Sequence, residues 1–205
     1  MRDHDLITDL ETLEALYSPV NPTSLLKEID HINAHYAQFI AASPFVVIST
    51  AGPEGLDCSP RGDPPGFVRV ADPRTLLIPD RRGNNRVDSL RNILRDPRIA
   101  LLFMIPGSGN TMRVNGRAVI SVNPALCESF AMRGNPPTSV IVVTVESVYP
   151  QCQKALVRSK LWSDEARAAQ PVLPSVGTMM QALDPAFDGA QYEADYPARM
   201  EKTIY

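Results

Sequence analysis

The sequence predicts a mainly β, α+β protein in which short antiparallel strands curl into a barrel flanked by helices. Apolar, β-branched runs recur from FVVIST (45–50) to VIVVTVESVYP (140–150). Most are joined by hairpin-type turns rich in Gly, Pro and Asn, and few helical stretches come between them, which disfavours a parallel α/β sheet. Closing such a sheet also hides the edges of strands as apolar as FVVIST.

Two helical patterns open the chain. Leu6, Leu10, Leu13 and Tyr17 recur at helical spacing, and Pro19 limits that helix. Leu25, Ile29, Ile32, Tyr36, Phe39 and Ile40 make a second, with Thr23 or Ser24 placed to cap it and Ser43-Pro44 to stop it. After FVVIST, the turn 51–55 leads to a short strand, Leu56–Pro60. The loop RGDPPG leads to FVRV (67–70), and ADPR turns the chain into TLLIP (75–79). Beyond the loop DRRGNNR comes a short helix near Val87–Arg95, and then the buried strand IALLFMIP (99–106). The tight turn GSGN (107–110) joins it to TMRVNGRAVISV (111–122). Asn123-Pro124 is a helix start with proline at the first helical position. After 140–150, the last clear strand, CQKALVRSKLW reads as a short helix or turn, 163–175 as a flexible connection, and Val176–Leu183 as the one helix of a proline-rich tail. A single domain over 1–205 is expected: N-terminal helices 1–42, barrel core 43–150 and a C-terminal segment 151–205.

The 205 residues suffice for a sizeable core without disulfides or metals. A formal net charge of −3 argues against a general nucleic-acid or membrane-surface binder. No apolar run is long enough to span a bilayer, and the acidic MRDHDLITDLETLEALY is not a secretory signal. Cys58, Cys127 and Cys152 form no CxxC spacing and cannot all pair, which fits reduced thiols in a cytoplasm.

His31 and His35, four apart in the second helical pattern, have zincin spacing, but Ile32 stands where glutamate should follow the first histidine, so no metal is expected. There is no G-x-S-x-G for a serine hydrolase and no G-x-x-x-x-G-K-[ST] for nucleotide hydrolysis. The basic loop Asp80-Arg81-Arg82-Gly83-Asn84-Asn85-Arg86 is more informative. It runs into a helix start, whose free N–H groups and dipole suit a phosphate, and arginine adds a bidentate clamp. Asn84 or Asn85 is placed to cap that helix, and the bland alternative is a solvated turn. Ser59-Pro60-Arg61-Gly62 lies upstream. Arg113, Asn115 and Arg117 share the polar face of one strand, and Lys154, Arg158 and Trp162 fall along one helical stripe. Each of these is equally readable as a face turned to water.

Taken in order, the run FVVISTAGPEGLDCSPRGD, then TLLIPDRRGNNRVDSLRNILRDPRIALLF, then MRVNGRAVI resembles the FMN-binding split β-barrel of pyridoxamine-5′-phosphate oxidase and its relatives. The likeness covers about residues 40–165. It is nearest to a subfamily taken to be FMN-dependent that also carries C-x-K-A-L-x-R-S-x-L-W, here Cys152 to Trp162. The resemblance implies an antiparallel split β-barrel with N-terminal and peripheral helices, and a homodimer with FMN at the subunit interface. It implies cofactor contacts from Ser59, Arg61, Asn85 and Arg86 to the phosphate, with Arg113 and Arg117 near the flavin. The stripe that directly follows the last strand is expected to bring Lys154 and Arg158 to the phosphate or the pyrimidine side of FMN and Trp162 close to the ring, since two cations four apart repel unless an anion lies near. Two departures matter. The oxidases carry Ser-Arg-Lys at the helix start, where this chain has Asn-Asn-Arg. They end in a substrate-binding R-L-H-D-R motif, whereas this chain ends Tyr196-Pro-Ala-Arg199-Met-Glu-Lys-Thr-Ile-Tyr205 with no histidine nearby. The expectation is therefore an FMN-dependent oxidoreductase with another small-molecule substrate or an electron donor such as NAD(P)H. The alternatives are a flavin carrier or sensor without turnover, and a barrel holding haem or a deazaflavin, with His31 or His35 as haem ligands.

Overall fold

The computed structural model describes residues 5–169 and 172–205. Three short helices come first, α1 (Leu10–Ala15), α2 (Pro22–Leu26) and α3 (Ala34–Ala42). Then follow β1 (Phe45–Gly52), β2 (Gly55–Gly62), β3 (Arg69–Asp72), β4 (Thr75–Asp80), α4 (Asp88–Arg95), β5 (Arg98–Met104), β6 (Thr111–Ser121), α5 (Pro124–Glu128) and β7 (Ser139–Gln151). The chain continues with α6 (Lys154–Ser159), α7 (Asp164–Ala169), α8 (Val176–Leu183) and α9 (Gly189–Thr203). The strands form one antiparallel sheet in the order β2-β1-β5-β6-β7-β4-β3.

Alternation builds the core. Val46, Ile48, Leu101, Phe103, Met112, Val114, Ile141 and Val143 point to one side of the curled sheet and are essentially unexposed. Burying each such side chain contributes roughly 1.5–3 kcal/mol. The two longest strands make the curl. The first half of β6 pairs with β5, while its second half pairs with the start of β7, whose other edge carries β4. Between those halves the β6–β7 register shifts at Asn115/Gly116, a bulge that bends the strand. Gly116 is required there, because a Cβ would run into the carbonyl oxygen of Thr144 on β7.

The sheet curls without closing. β2 and β3 are its two edges and do not pair, so the barrel expected to hide every edge is split. The end of β2 nevertheless approaches the end of β4, with an Arg61 nitrogen 3.8 Å from Asp80 Oδ1. Helix α4 packs chiefly on β1, with contacts to β6 and β2. There the buried Asn92 amide donates to Thr50 Oγ1 at 3.2 Å.

Several expected elements differ. The second helical pattern divides, because Ile29 forms a β-bridge with Val148 and the Ile32 N–H donates to the Pro73 carbonyl. Asn21 caps α2, with Pro22 opening it, and Asn33 caps α3, so Thr23 and Ser24 are not the caps. His31 therefore lies outside the helix that holds His35, and the zincin spacing is lost. FVRV yields its first half to coil: Phe67 and Val68 are buried apolar side chains, but pairing begins at Arg69. The connection expected to be flexible contains α7, with residues 170 and 171 outside the described set. The longest helix, α9, was not expected, since Pro197 stands inside it.

Candidate functional site

The split between the sheet edges opens onto a cavity of about 680 Å³. Its walls are the end of β2 (Pro60, Arg61, Gly62), the loop after β4 with the start of α4, and the segment Asn135–Ser139 that leads into β7. Tyr205 also lines it.

Register decides which β2 side chains face inward. Asp57, Ser59 and Arg61 lie opposite Thr50, Ile48 and Val46, whose side chains are buried, so all three point to the core side. The Arg61 guanidinium donates to Ser89 Oγ at 3.3 Å and stands 3.8 Å from Asp80. Ser59 stops short of the cavity. Its hydroxyl donates to Asp57 at 3.0 Å, and the Ser89 hydroxyl donates to the same carboxylate. This chain of bonds orients Arg61 from below. Asp80, the last residue of β4, has a side chain 19% exposed. Burial pushes its carboxyl above the usual carboxylate range, partly opposed by Arg61.

The loop 81–87 turns its residues to different tasks. Arg81 is committed to the frame, donating from Nε to Asp63 at 2.7 Å and from a terminal nitrogen to the Phe130 carbonyl at 2.6 Å. Arg82 lines the cavity and has no side-chain hydrogen-bond or ion-pair partner among the described residues, leaving its charge for a ligand. Asn85 also lines the cavity, with φ of 59°. Arg86 turns away: its Nε donates to Asp88 at 2.7 Å, and it borders a separate hollow of about 280 Å³ beside the β1–β2 turn. Neither asparagine caps α4. Asn84 Oδ1 accepts from the Arg86 N–H, and the N-cap is Val87, which gives no side-chain bond. The first turn of α4 thus keeps N–H groups without a side-chain acceptor, next to the cavity. Val87 reaches this position at φ 53°, a strained conformation for a β-branched residue.

The other expected residues lie elsewhere on the protomer. Arg113 and Arg117 occupy the outer face of β6, as alternation implied, and Arg113 donates to the Tyr149 hydroxyl at 3.1 Å. Arg117 stands near Asp96, whose carboxyl is held down to about 2, mainly by hydrogen bonds from Arg98. Lys154 and Arg158 are exposed on α6, and Trp162 just beyond is half-buried, its Nε1 out of solvent and without an acceptor among the described residues. α6 follows the far end of β7, while Ser139 at the near end lines the cavity. Twelve residue steps separate those ends, about 40 Å along an extended strand. So Arg61 and Asn85 meet in one cavity, Ser59 and Arg86 flank it, and the remaining five lie away from it.

Arg82, Asp80, Thr138, Ser139 and Tyr205 join the cavity without having been singled out. For Arg82 the signal was present in the basic loop. For Tyr205 there was none, since its partner Asp63 is 142 residues away. His31 bonds to Asp30, and neither His31 nor His35 lines the cavity. Among the described residues no three His, Cys, Asp or Glu side chains gather as metal ligands, and no helix is long and apolar enough to cross a membrane. The three cysteines are free.

No curated protein matches the sequence. Among solved structures, the chain is similar to HupZ of group A Streptococcus, at 17% identity over 59% of this chain and 94% of that one, with a TM-score of 0.49. General stress protein 26 of Bacillus anthracis matches at 16% identity, covering 55% and 88%, with a TM-score of 0.41. An FMN-binding protein of Syntrophomonas wolfei matches at 12%, covering 68% and 91%, also at 0.41. The pyridoxamine 5′-phosphate oxidase family model matches residues 32–152, more than half of the chain, from the turn before α3 through all seven strands. With the whole split sheet inside that span, and with it every cavity-lining residue but Tyr205, the chain belongs to the pyridoxamine 5′-phosphate oxidase family.

Proposed function

We propose that this protein is an FMN-binding flavoprotein, and that its cavity at the split seats the FMN phosphate. The observation that carries this reading is the convergence of Arg61, the unpaired Arg82, Asn85 and an uncapped helix start on one hollow. Such donors suit a terminal phosphate, and the cavity volume is in the range of small-molecule and cofactor sites. No G-x-G-x-x-G is present to cradle a dinucleotide, which favours FMN over FAD. Thr138 and Ser139 add hydroxyl donors on the opposite wall.

Family membership and the resemblance of the Cys152–Trp162 segment support two further steps. The protein acts as an oxidoreductase, and two copies assemble so that Arg113, Arg117, Lys154, Arg158 and Trp162 of one reach the flavin held by the other. The distance of those residues from the cavity within one protomer favours such shared sites. The outer faces of β1 and β5 favour it too, offering half-buried Phe45, Val47, Leu102 and Met104 around Arg113. FMN, when bound, supplies hydride or electron transfer, and the chain supplies binding, orientation and charge. The missing R-L-H-D-R motif argues for a substrate other than pyridoxamine phosphate.

The test is to denature purified protein and identify the released flavin by chromatography. FMN near one per chain is expected, and FAD alone at that ratio defeats the reading. Anaerobic bleaching of bound flavin by NAD(P)H then separates an oxidoreductase from a flavin carrier.

A further inference from the structure

Tyr205 ties the tail to the cavity wall. Its hydroxyl donates to Asp63 Oδ1 at 2.8 Å, and its ring lies beside two guanidinium groups, 5.8 Å from Arg81 and 5.2 Å from Arg133. The Asp63 side chain is only 2% exposed and already accepts from Arg81. The preceding helix, α9, packs mainly against α8 and against no strand to a comparable degree. The Tyr205 cluster is therefore the tail's anchor at the cavity, made by a residue that also lines it.

We propose that the segment from α9 to Tyr205 is a strap over the cavity, with the Tyr205 phenol as its latch on Asp63. The inference rests on the reading of the cavity as the flavin phosphate site and adds how ligands enter and leave it. The chemistry of the contact suits a latch. When the phenol leaves, Asp63 keeps its Arg81 partner, so opening breaks one hydrogen bond and two ring–cation contacts without stranding a buried charge. The hydrogen bond to Asp63, which also raises the phenol's pKa, keeps the latch protonated and donating across the neutral range. A strap that opens and recloses slows ligand entry and exit alike, and so changes rates more than affinity.

Two measurements on the full chain test this. The first needs no flavin: the rate at which phenylglyoxal modifies Arg61, mapped by mass spectrometry. It should rise about tenfold in Tyr205→Phe and at least as much in Tyr205→Ala, since one charge-assisted hydrogen bond shifts an equilibrium by roughly that factor or more. An unchanged rate in both variants overturns the strap. The second is stopped-flow quenching of FMN fluorescence. Association and dissociation should both accelerate about tenfold in Tyr205→Phe, with Kd changed by less than about threefold. Faster dissociation with unchanged association overturns the strap and makes Tyr205 a direct ligand contact. If wild-type protein quenches no FMN while Tyr205→Phe still unmasks Arg61, the flavin reading falls and the strap stands.

Discussion

A carboxylate inside a phosphate pocket works against its ligand, and Asp80 is placed to do so. It stands 3.8 Å from a guanidinium nitrogen of Arg61, the cation proposed to hold the phosphate. A phosphate on the free side of that guanidinium lies about 6 Å from Asp80. Coulomb's law then gives a repulsion of about 0.7 kcal/mol per charge pair in bulk water and about 2.8 kcal/mol at an effective dielectric of 20. Since Asp80 is mostly buried, the upper part of that range applies, and Asp80→Asn should tighten FMN roughly 20- to 100-fold. The pH dependence has a definite sign. Burial raises the Asp80 pKa, so the folded chain binds this proton more tightly than the unfolded chain does. The associated stabilisation is present below the ordinary carboxylate pKa and is lost as pH rises through the raised one. Relative to Asp80→Asn, wild-type FMN affinity should fall over the same window as the competing charge appears, the second ionisation of the phosphate at about pH 6 being common to both. Asp80→Asn should remove the stability trend. Fluorescence-quenching titrations with FMN and riboflavin from pH 4 to 8 measure this, riboflavin serving as the control without a phosphate. Weaker FMN binding in Asp80→Asn would refute the electrostatic account and make Asp80 a support that aims Arg61.

The remaining predictions concern the site and its frame. Arg61→Ala should weaken FMN by about 1.5–3 kcal/mol while leaving riboflavin affinity nearly unchanged; equal loss for both ligands makes Arg61 structural. Val87→Gly should raise stability by about 1 kcal/mol in urea unfolding, because relief of a strained φ exceeds the entropy that glycine adds. Gly116→Ala should destabilise by about 1–3 kcal/mol or more, since the new methyl meets a backbone carbonyl in the central β6–β7 pair; an unchanged urea midpoint would show that the bulge yields. Light scattering should return twice the 22.5 kDa chain mass, and Trp162→Phe should brighten bound flavin without splitting that dimer. A monomer that retains FMN tightly defeats the shared-site reading.

Local chemistry made most of the framework legible in the sequence. The β-branched runs located the strands, Asn123-Pro124 marked the start of α5, and a helix expected around Val176–Leu183 is present there, because caps, proline and alternation act over a few positions. The same locality misled at Leu25–Ile40. The apolar spacing there satisfies a helix, yet Ile29 is held by Val148, a partner the pattern does not contain. The site divided along the same line. The basic loop and the family resemblance nominated Arg61 and Asn85 as phosphate contacts, and the fold brings those two to one cavity. Neighbours two residues away drew Arg86 to Asp88 and Ser59 to Asp57, local contacts that residue type alone did not rank above a ligand. The curl of the sheet set Arg113 on the other face from Arg61. Tertiary structure also brought Tyr205 to Asp63 across 142 residues. Periodicity and capping are set by neighbours within a turn or a strand, and the sequence carries them directly. Which side chains share a cavity depends on the curl of the sheet, set jointly by the β6 bulge, the strand registers and the two unpaired edges.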